Sequence, residues 1–275
     1  MTTYLTGAAA VEPLTGGYHH AVWLATQPDG RRVVVKTTEG APPGMFRAEA
    51  EGLAALARTG TVAAPEVIEY ADGHLVLEWL PPLPLADTAF WERAGRALAA
   101  LHGIEHDRFG WPEDNWLGPT RQVNTWTSDG YEFFATHRIL RYLAEPNAQA
   151  VLTAEQRAGI ERICARLPDL VPPAPPTLTH GDLWRGNMLA TPGGTIALID
   201  PAVSWSWAGT DLSMLHCTTV PLPPPFFAAY HEVRPPEPGW RDHYRVLHLR
   251  EHLCVLAQGD PRAATHIQET LDLFR

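Results

Sequence analysis

The sequence predicts an α+β protein of two lobes, a small β-rich N-terminal lobe and a larger, mainly helical C-terminal lobe. Three observations carry that prediction. Strand patterning dominates the first eighty residues, Pro81-Pro82-Leu83-Pro84 interrupts it, and helical periodicity dominates the remainder of the chain. Proline neither donates to a sheet ladder nor continues a helix, so this break is read as the lobe boundary, with domains at 1–80 and 81–275. A cleft between two such lobes is the usual place for a ligand.

In chain order, His20–Thr26 alternates apolar and polar residues, Gln27-Pro28-Asp29-Gly30 supplies turn chemistry, and Arg32–Thr37 carries the β-branched run Val33-Val34-Val35. Met45, Phe46, Ala50, Leu53, Leu56 and Ala57 lie at spacings that suit one face of a helix over Met45–Arg58, with Gly60 as its stop. Glu66–Tyr70 and His74–Leu80, joined by Asp72-Gly73, read as a hairpin. Beyond the proline break, helices are predicted over Phe90–His102, Gly130–Ala144 and Ala154–Leu167, the last with Thr153 and Gln156 in capping-box positions. After Pro172–Pro176 comes a strand-rich island, Thr177–Asp200, and then helical segments to the C-terminus.

Composition excludes several classes of function. With 275 residues, 45% hydrophobic and 19% charged, the chain is not intrinsically disordered and can bury a core without staples. The 31 Asp+Glu against 21 Lys+Arg give a net charge of −10, which argues against nucleic acid or anionic membrane as partner. Cys164, Cys217 and Cys254 are odd in number and far apart, as expected of reduced thiols in a cytoplasmic protein. No signal-peptide pattern and no membrane-length apolar run is present. The 21 cations divide into 20 arginines and a single lysine, Lys36.

Chemistry concentrates in His180-Gly181-Asp182-Leu183-Trp184-Arg185-Gly186-Asn187, with Asp200 further on, after Thr195–Ile199. Two carboxylates and a carboxamide on loops beside short strands are hard oxygen ligands of the kind magnesium takes together with substrate phosphates, and no Cys/His cluster suggests zinc. The spacing matches phosphoryl-transfer logic: one Asp accepts the proton of an attacking hydroxyl, an Asn five residues on holds a metal, and a second Asp bridges metal to phosphates. Lys36, at the end of a strand, resembles the strand-borne lysine of a kinase fold. Glu49 on the next helix is its expected carboxylate partner, since Glu51 lies about 200° further round that helix. Gly16-Gly17, before the first strong strand, is a candidate phosphate-covering turn.

These residues carry a resemblance to a family. Leu14-Thr15-Gly16-Gly17, Val35-Lys36, Met45-Phe46 with Glu49, and Thr59-Gly60-Thr61-Val62 with Pro65 are similar to segments of the fructosamine-3-kinase (ketosamine-3-kinase) family. So are Phe109-Gly110-Trp111-Pro112 with Asn115 and Gly118, Asn124 with Trp126, His180–Asn187, Asp200-Pro201-Ala202-Val203 and Asp211-Leu212. That family belongs to the aminoglycoside-phosphotransferase branch of the protein-kinase-like fold, and the resemblance covers nearly the whole chain. It implies an ATP- and Mg2+-dependent kinase that phosphorylates the 3-hydroxyl of ketosamines, free or protein-bound, in a deglycation role. It also implies Asp182 as base, Asn187 and Asp200 as metal ligands, Lys36 as the phosphate cation with Glu49 as its partner, and Glu78-Trp79-Leu80 as the hinge that meets adenine. No oxidisable cysteine stands in the glycine loop, and a monomer or weak dimer is expected.

His180 is read as a structural histidine that orients the loop, and Asp211 as a helix-start residue that braces it. Trp184 is either core or an aromatic wall for a sugar, and Arg185 either solvated or in contact with substrate or phosphate. The short N-terminal helix, Ser128-Asp129-Gly130 and Thr218–Pro225 depart from the family pattern. Three rival readings compete with the kinase of ketosamines. A metallophosphoesterase lacks its upstream DxH and the His after Asn187; a catalytically inactive kinase-like binding protein would have lost a key residue; an aminoglycoside- or choline-type kinase shares the HGD and Asn.

Overall fold

The computed structural model describes residues 2–14, 20–218 and 220–275, so the Gly16-Gly17 turn lies outside the described residues. Strands β1 (Ala10–Pro13), β2 (Ala21–Thr26), β3 (Arg32–Thr37), β4 (Val67–Ala71) and β5 (His74–Glu78) form one antiparallel sheet in the order β1-β2-β3-β5-β4. Alternation along β3 gives the sheet two faces. Val33 and Val35 pack with Ala25, Val76 and Leu5 on one side. On the other, Leu75 and Leu77 meet Phe46, Ala50 and Leu53 of the helix Met45–Arg58, which forms over the residues its apolar spacing predicts. Lys36 shares register with Leu75 and therefore belongs to the helix-covered face.

The rest of the chain builds a mainly helical lobe around one large apolar cluster. Thr88–Leu101 packs against Pro224–Val233 so closely that a Cβ on Gly95 would stand 2.2 Å from the Phe226 carbonyl oxygen. Two short antiparallel pairs belong to this part of the chain: Thr177–Thr179 with Ser204–Ser206, and Met188–Ala190 with Ile196–Leu198. The second pair ties the lobes together. Ala63 N–H donates to Ile196 O at 2.9 Å, Leu198 N–H to Ala63 O at 2.9 Å, and Ala190 N–H to Pro81 O at 3.0 Å.

Four elements differ from expectation. The predicted helix over 130–144 is α-helical only at Gly130–Phe133, then π-helical at Phe134–Ile139 and 3₁₀ at Leu140–Ala144. The extra residue per turn lets Arg138, fully buried, lie over the Phe133 ring and donate to Val123 O at 2.7 Å and Asn124 Oδ1 at 2.6 Å. The predicted Ala154–Leu167 helix ends at Ala165, although its capping box forms between Thr153 and Gln156, and a separate turn, Leu167–Leu170, comes after it. Strand β1 and the small hairpin of Asn115–Leu117 with Thr120–Gln122 were not predicted. No helix among the described residues is long and apolar enough to cross a membrane.

Candidate active site

The strand alternation that buries Val33 and Val35 delivers Lys36 to the covering helix, one turn of which presents Glu49 beside Ala50. Lys36 Nζ donates to Glu49 Oε1 at 2.6 Å and also to Asp200 Oδ1, and the side chain is almost wholly buried. Burial opposes the ammonium charge, but the Asp200 and Glu49 carboxylates outweigh it and hold the group above the ordinary lysine range. Glu51 points elsewhere, pairing with Arg47 at 2.7 Å on the exposed side.

Between Thr177–Thr179 and Met188–Ala190 the chain makes the loop that carries Asp182. Asp211, in the first turn of the helix Gly209–His216, anchors that loop from beneath. Its carboxylate accepts from His180 N–H at 2.7 Å, Gly181 N–H at 2.8 Å and His102 Nε2–H at 3.2 Å. His102 in turn accepts from the Tyr230 hydroxyl at 2.9 Å. Burial alone would raise the Asp211 pKa, yet the His102 bond and these backbone donors hold it below the usual carboxylate value. His180 donates from Nε2 to Ile199 O at 2.8 Å and accepts at Nδ1 from Asp182 N–H at 3.2 Å, a neutral tautomer that burial favours. Gly181 has φ +83°, and a Cβ there would approach Ala202 O to 2.1 Å, so only glycine makes this turn.

The loop closes on itself through Asn187, whose Nδ2 donates to Asp182 O at 2.7 Å and Oδ2 at 3.1 Å. The amide nitrogen is thereby committed, leaving the carboxamide oxygen as the atom for a metal. Asp200 has φ +57°, a left-handed conformation that Asp tolerates better than most residues and that recurs at functional sites. Burial, then the Glu251 carboxylate, pushes Asp182 up to about 8, which makes it a stronger proton acceptor than an ordinary aspartate.

Lys36, Glu49, Asp182, Asn187, Asp200 and Trp184 line a single cleft. Asp200 and Asn187 give two protein oxygens, a donor set that fits Mg2+ completed by phosphates and water, and Lys36 supplies the balancing cation. Among the described residues no group of three or more His, Cys, Asp and Glu forms a metal cage. The hinge residues stand outside this cleft lining: Glu78 ends β5, Trp79 stacks under the Arg32 guanidinium at 3.4 Å, and Leu80 is buried. Arg185 is half-buried and lines neither this cleft nor the larger cavity beyond Asp182.

Sequence reasoning missed two groups. His102 carries no motif, and its signal is only a histidine at the end of an otherwise apolar helix face. Glu251 lies in the helix Trp240–Ala257 next to the fully buried Arg250; two adjacent charges on a helix with so much buried surface are the signal that could have found it.

The chain resembles known proteins along most of its length. The family model for fructosamine kinase matches residues 3–272. A protein assigned as a ketoamine kinase in Thermus thermophilus is 36% identical over 256 residues, 90% of this chain and 88% of its own. A chloroplastic protein-ribulosamine 3-kinase of Oryza sativa is 29% identical over 87% of this chain and 72% of its own length. A crystal structure assigned to the fructosamine-3-kinases, from Thermobifida fusca, superposes with TM-score 0.86 at 32% identity over 96% of this chain and 93% of that one. An aminoglycoside phosphotransferase, at 14% identity and TM-score 0.67 over 98% of this chain and 94% of its own, shares the fold.

Proposed function

The chain belongs to the fructosamine kinase family, and from that premise we propose that it transfers the γ-phosphoryl group of ATP to the 3-hydroxyl of ketosamines. The observation that carries the reading is the convergence of Lys36, Glu49, Asp182, Asn187 and Asp200 on one cleft between the sheet and the helical lobe. A catalytically inactive scaffold would lack one of these groups.

In this reading Asp182 accepts the proton of the sugar hydroxyl as its oxygen bonds to phosphorus and the bond from phosphorus to the ADP oxygen breaks. Lys36 neutralises phosphate charge, and Glu49 keeps the ammonium aimed into the cleft. Asn187 and Asp200 would hold Mg2+, which would supply positive charge to offset that of the phosphates. His180 and Asp211 keep the loop in place without touching the reacting atoms. Gly16 and Gly17 would cover the phosphates. The backbone of Glu78, Trp79 and Leu80 would meet adenine at the lobe boundary, which we place between residues 80 and 81. The 3-phosphorylated adduct is prone to elimination that frees the amine, a deglycation role.

We place the protein in the cytoplasm as a monomer or weak dimer. The net charge of −10 and three cysteines without disulfides support that placement, and give no reason to expect nucleic acid or membrane as partner. The test is ATP consumption by the purified protein with ribulosamine, fructosamine, aminoglycoside and choline. Turnover is expected with a ketosamine; turnover confined to aminoglycoside or choline would replace the reading with its rival.

A further inference from the structure

Asp182 and Trp184 belong to two cavities at once. One is the Lys36 cleft; the other, of about 590 Å³, extends away from it toward the helix Trp240–Ala257, where His248, Glu251 and Cys254 join Met214 in its walls. Two polar atoms in those walls are buried and have no hydrogen-bond partner among the described residues: Glu251 Oε2 and His248 Nδ1. His248 is 8% exposed, and it stands one helical turn before Glu251 on the same face. The adjacent Arg250 acts on Glu251 as a nearby charge but makes no hydrogen bond to it; its guanidinium donates to Gln122 Oε1 at 2.8 Å and lies against the Met214 sulfur.

A buried carboxyl oxygen without a donor is costly; burial pushes Glu251 up toward its neutral form, and a cation with N–H groups would relieve the same cost while keeping the carboxylate charged. The Trp184 ring in the same wall adds a surface that favours an ammonium over a neutral or anionic group. In a ketosamine the amine nitrogen is separated from the 3-oxygen only by C1, C2 and C3. A receptor for the amine therefore has to stand in the same cavity as the group that takes the 3-hydroxyl proton, and Glu251 shares its cavity with Asp182.

We propose that Glu251 is the specificity residue of this site, receiving the protonated secondary amine of the ketosamine while His248 Nδ1 meets a neighbouring sugar hydroxyl. The proposal rests on the kinase reading of the cleft and goes beyond it by naming what selects the substrate. It explains how an enzyme of this kind distinguishes a glycated amine from the free sugar, which carries a hydroxyl in place of the amine and no charge.

The test compares a 1-alkylamino-1-deoxyfructose with the 1-O-alkyl ketose in which oxygen replaces the amine. The wild-type protein is expected to favour the amine in kcat/KM by about tenfold or more, the range of a hydrogen bond to a charged group. Glu251→Gln is expected to erase most of that preference through the KM of the amine, with the KM for ATP unchanged and the unfolding midpoint no lower than that of the wild type. A wild-type protein indifferent to the amine, or a variant that keeps the wild-type preference, would overturn the proposal and leave the kinase reading standing. Turnover of neither compound by the wild type would overturn both.

Discussion

Asp211→Asn is the perturbation whose cost is most directly read from the structure. Three donors converge on two buried carboxylate oxygens: His180 N–H and His102 Nε2–H on one, Gly181 N–H on the other. An amide keeps only one oxygen. In its better orientation it keeps the doubly used site and turns its own N–H2 toward Gly181 N–H, donor against donor. The orphaned backbone group costs about 1–3 kcal/mol, and two charge-assisted bonds reduced to neutral ones cost about 1 kcal/mol each. The sum, about 3–5 kcal/mol, corresponds to a fall of about 10 °C in unfolding midpoint for a chain of this size. Because the lost bonds hold the residues just before Asp182, kcat should fall about a hundredfold, the cost of misplacing a reacting group by about 1 Å, while the KM for ATP changes little. Differential scanning calorimetry and steady-state kinetics measure both. A midpoint within about 2 °C of wild type together with an unchanged kcat would refute the claim that Asp211 supports the loop.

Lys36→Arg should lower kcat/KM by about a hundredfold or more with the fold retained, because a broad planar guanidinium does not replace a compact ammonium between Glu49, Asp200 and phosphates; near-normal kinetics would make the single lysine an accident of arginine-rich coding. Asp182→Asn should abolish turnover while ATP still binds in a calorimetric titration; retained turnover would remove Asp182 from the role of base. Burial, with His252 and Arg250 nearby, depresses His248 to about 3, below its unfolded value near 6.5, so its stabilising contribution is present above pH 6.5 and lost as pH falls toward 3. Between pH 7 and 5 the His248→Gln variant should therefore gain about 2 kcal/mol on wild type in urea unfolding, and an equal difference at both pH values would contradict that sign.

Local pattern made much of this molecule legible. The helix Met45–Arg58 begins and ends where its apolar spacing says, and the choice of Glu49 over Glu51 needed only helical geometry and a strand-end lysine. The loop with Asp182 stood out because its polar residues are dense and oddly spaced. The features that stayed hidden depend on partners distant in sequence. Strand β1 is exposed along its whole length and ends in Pro13, so it shows no buried alternation and exists only through pairing with β2. The π-helical turns at Phe134–Ile139 leave a faint trace, since Phe133-Phe134 and Arg138-Ile139 repeat at five rather than four residues, but the buried arginine reads as a surface residue until Val123 and Asn124 are placed beside it. Glu251 leaves only the signal of a second charge beside Arg250, because its importance comes from sharing a cavity with a residue 69 positions away (251 − 182).

The position of the transferred phosphate tests the central claim most directly. The purified protein, ATP, Mg2+ and a fructosamine should give a product whose phosphorus couples to the proton on C3 in a ³¹P–¹H spectrum, with release of the free amine as that product eliminates. A phosphate on any other oxygen, or no phosphorylated ketosamine while ATP is consumed with another acceptor, would contradict it.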